Sequence, residues 1–239
     1  MHGYCYSKTV RTTSKSRIGL CLVFVGLAAC TKHSSPLPPQ PGTPSLAEMA
    51  DCATATSYDR PVVESYWSAG TFQRPPSFGE KALSDEFTRE WYTTQLCAMG
   101  EAPLTAPAAG SVRIRFIWVR TFHPAISVRV EHSAHETQLF AVELDGKGGY
   151  EPGTAARRIR RSLSLEEWTS LQESISNSGF WGLPTKPPSG LLGFDGAQWI
   201  VEVATQDRYH VVDRWRGADL QPIGRYLLEL SDLNPAEIY

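Results

Sequence analysis

Between Val112 and Leu144 apolar residues recur at every second position in three successive runs, and a period of two restricts this stretch to β-strands. Val112, Ile114, Phe116 and Trp118 alternate with Arg113, Arg115 and Ile117. Ile126, Val128 and Val130 alternate with Ser127, Arg129 and Glu131, and Phe140, Val142 and Leu144 with Leu139, Ala141 and Glu143. Loops of about five residues separate the runs, so they read as an antiparallel meander with one buried face. Its other face carries Arg113, Arg115, Arg129 and Glu131.

Helices flank this sheet in the sequence. Leu83, Phe87 and Trp91 recur every four residues and Gly100 follows, which predicts an amphipathic helix over 84–99. Ser164-Leu165-Glu166-Glu167 is a capping box, with Leu163 and Trp168 placed as a hydrophobic staple. The helix it starts has Leu165, Trp168, Leu171 and Ile175 as its apolar stripe and Gly179 as its stop. Near the C-terminus, Trp199–Val203 and Tyr209–Trp215 read as a hairpin turning at Thr205-Gln206-Asp207. A two-residue turn at Gln206 and Asp207 would put Glu202, Val211 and Asp213 on one face, and His210 on the other with Val201 and Val203. The last helix begins near Pro222 and buries Ile223, Leu227 and Leu230.

The expected fold is therefore α+β: an antiparallel sheet, made of the meander and the C-terminal hairpin, with helices packed on one face. Residues 111–239 form this domain, and 46–105 form a helical N-terminal segment before it.

The start of the chain follows other rules. Lys8, Arg11, Lys15 and Arg17 precede the apolar stretch Ile18–Ala29, and no acid occurs among them. This is the layout of a secretory signal, too short at twelve residues for the roughly 20 that span a bilayer. Leu27-Ala28-Ala29-Cys30 resembles the bacterial lipobox at every position. That resemblance implies cleavage before Cys30, lipidation of its sulfur, and a membrane partner reached through the acyl chains. Thr31 stands where an Asp commonly retains Gram-negative lipoproteins at the inner membrane, so the resemblance points to the outer membrane, facing the periplasm. Residues 30–45 hold Pro36, Pro38, Pro39, Pro41 and Pro44 and read as a tether. The fifteen residues after Cys30, extended at about 3.1 Å each, reach roughly 45 Å.

Removing residues 1–29 leaves Cys52 and Cys97 beside the lipidated Cys30. In an oxidising compartment these two are expected to pair, closing a loop of 46 residues worth about 4 kcal/mol in the chain-entropy model. A catalytic thiol is the alternative, although no Cys-x-x-Cys motif accompanies either residue.

After the leader, 19 basic residues face 25 acidic ones, a net charge of −6. The exception is Ser111–Arg161, with nine basic and five acidic residues, centred on Arg157, Arg158, Arg160 and Arg161. With Arg113, Arg115 and Arg129 these form the candidate interaction surface, suited to an envelope protein or an anionic envelope polymer. The competing reading is a solvated face paired internally to acids. No interleaving of aromatic and basic residues points to nucleic acid, and no cofactor or catalytic residue is assigned.

An enzymatic alternative rests on two places. His132, His135 and Glu136 lie within five residues, but in neither of the zinc-protease spacings, and an exposed polar loop is the simpler reading. Glu202 and Asp213 on the hairpin would need a cleft to act as acid and base, and neutralisation by Arg214 or Arg216 is simpler. Asp145-Gly146 marks a turn, and no Gly-Lys-Ser or Gly-Lys-Thr makes the following glycines a phosphate loop. Trp168, Trp181, Trp199 and Trp215 fall on apolar faces and are expected in the core.

Phe180-Trp181-Gly182-Leu183-Pro184, Asp195-Gly196-Ala197-Gln198-Trp199 and Tyr209-His210-Val211-Val212-Asp213-Arg214-Trp215 resemble a recurring module of bacterial envelope proteins. The likeness covers about the last 60 residues and implies a fold but no catalytic residue. Taken together, the sequence reads as a lipid-anchored envelope protein with a binding domain; a periplasmic hydrolase or metal-dependent enzyme is the alternative.

Overall fold

The computed structural model describes residues 66–74, 83–104, 107–188 and 195–239. The leader, Cys30, the tether and Cys52 lie outside the described residues.

The six strands among the described residues belong to one antiparallel sheet. They are β1 (Val112–Arg120), β2 (Ile126–His132), β3 (Thr137–Leu144), β4 (Ala155–Ser162), β5 (Ala197–Thr205) and β6 (Tyr209–Trp215). The order β4-β3-β2-β1-β5-β6 adds the C-terminal hairpin to the β1 side of the meander. Thr205 N–H donates to Arg208 O at 2.8 Å across Gln206 and Asp207, and Glu202 pairs with Val211 and Val203 with His210, as the two-residue turn requires. β4 was not legible as a strand, because its Arg-rich run shows no alternation of burial-prone residues. An edge strand tolerates such a run, since charge there discourages pairing with another chain.

The helices are α1 (Asp85–Met99), α2 (Leu165–Asn177) and α3 (Gln221–Leu230). Their termini follow the caps in the sequence. Ser84 Oγ accepts from Phe87 N at 3.1 Å to start α1, and Ser164 and Glu167 form a reciprocal capping box at the start of α2. Pro222 sits in the first turn of α3. Gly100, at φ 70°, ends α1, and the next N–H, that of Glu101, turns back to Leu96 O at 3.0 Å.

Two cores result, one on each face of the sheet. On the first face α2 and α3 pack Trp168, Leu171, Ile223 and Leu227 onto Phe116, Trp118, Val128, Leu139, Trp199 and Val201. Gly224 is needed there: a Cβ on it would lie 2.5 Å from the Trp199 ring. The preceding helical segment supplies α1 to the second face, where Tyr92, Leu96 and Met99 join Phe72, Ile117, Val119, Val142, Ile200 and Val211. The central strands are thus covered on both sides, and β1 and β5 are buried almost end to end.

This cover corrects three expectations. The face of α1 turned to the sheet carries Tyr92, Leu96 and Met99, whereas Leu83 is exposed and Phe87 and Trp91 are half-buried. Leu165 is not part of the buried stripe of α2; it is 78% exposed in the first turn, ahead of the staple Leu163–Trp168. The polar side of the meander is not solvated at its centre, because α1 lies over it. Of the four tryptophans expected in the core, Trp168 and Trp199 are buried and Trp181 and Trp215 half-buried.

Candidate functional site

The seven arginines of the expected surface do not form one patch. Arg115 is 0% exposed, an outright correction: it sits mid-strand on β1 beneath α1 and cannot meet a partner. Burial demands that its charge be matched, and Glu202 on β5 does so, accepting from Arg115 Nε at 2.7 Å with Nη2 at 2.6 Å. Glu202 is cross-strand from Arg115 in the β1–β5 register. Its other oxygen, Oε1, accepts from Trp67 Nε1 at 2.9 Å and Tyr209 OH at 2.7 Å.

Arg115 also lies cross-strand from Arg129, two like charges side by side. The turn that ends α1 resolves the conflict by placing Glu101 between them, with Oε2 at 3.6 Å from Arg115 Nη1 and 2.8 Å from Arg129 Nε. Arg129 continues to Glu131, and Glu131 to Arg113 at 3.6 Å. Signs therefore alternate along the whole face: Glu202, Arg115, Glu101, Arg129, Glu131, Arg113. The internal-pairing reading of this face is the one the geometry supports for Arg113, Arg115 and Arg129.

The other four arginines divide between the faces by strand alternation. Arg157 pairs with Glu143 at 3.1 Å and donates to Leu233 O at 2.7 Å. Arg161 donates to Leu230 O, the last residue of α3, at 2.8 Å, and pairs with Glu167 of α2 at 2.9 Å. On the opposite side Arg158 donates to Met99 O, the last residue of α1, at 2.9 Å. Arg160 packs its guanidinium over Phe140, 5.3 Å from the ring centroid. Helix ends carry unsatisfied carbonyls and partial negative charge, so β4 clasps α1 and α3 from opposite faces. Arg157, Arg158 and Arg160 nonetheless remain exposed along the rim, and Arg161 is half-buried.

The last hairpin carries a second buried pair. Asp213, 1% exposed, accepts from Tyr92 OH at 2.7 Å and is ion-paired to Lys186. The expected neutralising partners are not used for these acids: Arg214 instead reaches Asp219 at 3.2 Å and the carbonyls of Pro184 and Thr185. Both hairpin acids are enclosed in ion pairs rather than facing a cleft. Lys186, Glu101, Trp67 and Tyr92 were missed in the sequence. The signal available was that Glu202 and Asp213 sit among apolar strand residues and so require enclosed partners, but nothing in it selects which.

His132 stacks on Trp168, with ring centroids 4.2 Å apart and planes 10° from parallel, and its Nδ1 lies 2.8 Å from Thr137 Oγ1. His135 and Glu136 are exposed in the loop that follows, and no cluster of three metal-ligating side chains occurs among the described residues. Cys97 is buried on α1, and Tyr66 OH lies 3.6 Å from its sulfur. No protein-family model matches the chain, and no curated protein matches it.

Three phenols are held neutral by this polar face. Burial pushes Tyr66 up to about 12. Tyr92 and Tyr209 are raised well above 10.0 by burial, reinforced by the charges of Asp213 and Glu202. A raised folded-state pKa contributes stability that is complete below the unfolded value and is lost as pH rises past it. Unfolding free energy should therefore hold up to about pH 10 and fall steeply above it, in step with phenolate absorbance. A flat stability profile through that range, measured by urea titration, would contradict enclosure of these rings.

Proposed function

We propose that this chain is a lipid-anchored protein of the bacterial envelope, held by acylated Cys30 on a proline-rich tether and facing the periplasm, which binds an anionic envelope component. The observation that carries the binding role is the exposed row of Arg157, Arg158 and Arg160 on edge strand β4. Their neighbours engage part of each guanidinium, and the planar fork of donors suits phosphate or carboxylate groups on a partner. Arg113 and Arg129 add positive charge farther along the sheet but are matched by Glu101 and Glu131. The lipobox and the net charge asymmetry support the anchor and the polarity of the domain. A Cys52–Cys97 disulfide belongs to the same reading, since it presumes an oxidising compartment.

The test is crosslinking and pull-down from intact cells. Charge reversal at Arg157, Arg158 and Arg160 is expected to remove the partners recovered with the unmodified chain, with circular dichroism showing an intact fold. Lysine at the same three positions should restore part of the yield. Recovery unchanged by charge reversal would refute the binding surface, and a Cys30→Ser chain still fractionating with membranes would refute the anchor.

A further inference from the structure

An open depression of about 500 Å³ lies between two irregular segments, Gly70–Arg74 and Pro184–Lys186. Its walls bring two cations together, Arg74 from one segment and Lys186 from the other, with Gln73 and Thr185 as neutral polar neighbours. Lys186 is an unusual wall residue. Its side chain is 3% exposed, and its ammonium lies 5.4 Å from the centre of the Phe72 ring and 5.8 Å from that of Tyr92.

An ammonium has three N–H donors. Asp213 accepts one from Lys186, and no second hydrogen-bond acceptor for that nitrogen occurs among the described residues. Asp213 does not line the depression, whereas Lys186 does, so the acid lies behind the lysine as seen from solvent. Burial and the positive charge of Arg74 both work against keeping Lys186 protonated. A bound anion on the open side would relieve both, supplying the missing acceptor and screening the two cations from each other.

The position is built rather than accidental. Asp85 caps the Gly70 and Phe72 amides with its two oxygens, at 2.7 and 2.6 Å, and fixes the first wall to the start of α1. Asp213 N–H donates to Thr185 O at 2.8 Å, and Arg214 to Thr185 O and Pro184 O, which fixes the second wall to the outer edge of β6. Pre-formed walls reduce the ordering cost of binding. The volume suits a small molecule rather than a polymer.

We propose that this depression binds the oxyanion of a small ligand, a carboxylate or a phosphate, between the guanidinium of Arg74 and the ammonium of Lys186. The site is separate from the arginine rim of β4, and it does not depend on that surface having a partner.

Isothermal titration calorimetry of the full chain in detergent, with inorganic phosphate and separately with acetate, tests it. Ionic strength is held constant with chloride so that general salt effects cancel. One oxyanion is expected to bind at about millimolar concentration or tighter. The one that binds identifies the group as phosphate or carboxylate. Arg74→Gln should weaken that binding by about tenfold or more, the loss of one charge-assisted contact, with circular dichroism showing an intact fold. Arg225→Gln, exposed on α3 over the opposite face of the sheet, should leave it unchanged. The double variant Lys186→Met with Asp213→Asn removes the buried pair without orphaning a charge and should abolish binding; if it does not fold, Arg74→Gln decides alone. No heat with either anion, or affinity untouched by Arg74→Gln, overturns the proposal.

Discussion

An Arg115→Met chain is expected to lose about 3–5 kcal/mol of unfolding free energy, the cost of removing one partner from a buried ion pair. The substitution keeps most of the side-chain volume, so the loss is electrostatic rather than a cavity effect. Among the described residues, Glu202, 1% exposed, would keep its bonds from Trp67 and Tyr209 but lose its only cation, and Glu101, 4% exposed, would keep Arg129 alone. Domains of this kind are stable by roughly 5–15 kcal/mol, so the variant would stand near the edge of folding. Urea unfolding at neutral pH measures it. The double variant Arg115→Met with Glu202→Gln should recover a substantial part of the loss, because glutamine retains an acceptor for Trp67 and Tyr209 without the charge. A loss below about 1 kcal/mol, the range of exposed pairs, would mean that water reaches the network.

Trp199→Ala is expected to cost about 3–5 kcal/mol on the other face. Trp199 is fully buried at the contact of β5 with α3, its ring centroid 5.2 Å from that of Phe116 and 5.5 Å from that of Trp118. Its Nε1 also donates to Tyr239 O at 3.0 Å, tying down the C-terminus. Gly217 and Gly224 are small where they meet the ring, so the backbone already lies against it and cannot close much further over a cavity. The near-ultraviolet circular dichroism of the tryptophan cluster should weaken along with the midpoint of unfolding. A cost under about 1.5 kcal/mol would show that α3 collapses into the space.

The parts of this structure that depend on neighbouring residues could be read from the chain. Ser164 and Glu167 announced the start of α2, Gln206 and Asp207 the hairpin turn, and Gly100 the end of α1, because caps and turns are local hydrogen-bonding problems. The period-two runs likewise identified β1, β2 and β3. The candidate site was less legible. Arg115 and Arg113 are indistinguishable in sequence, both alternating with apolar residues on the same strand, yet one is fully enclosed and the other half-exposed. The difference is that α1 and Tyr66–Phe72 cover the middle of the strand, and no local pattern records where a distant segment will lie. Leu83, Phe87 and Trp91 formed the more obvious apolar stripe, while the helix buries Thr88 and Gln95, whose polar atoms find Ser84 O and Gly149 O.

By itself the sequence determined the period-two strands, the helix boundaries and the charge asymmetry, all of them properties of residues within a few positions of one another. Tertiary structure alone decided that the sheet is covered on both faces, that Glu101 separates Arg115 from Arg129, that Arg158 reaches the end of α1 and Arg161 that of α3 from opposite faces of β4, and that Arg74 and Lys186 share one depression. Each of these brings together groups distant in the chain, and their energies arise only when burial removes water from around the charges.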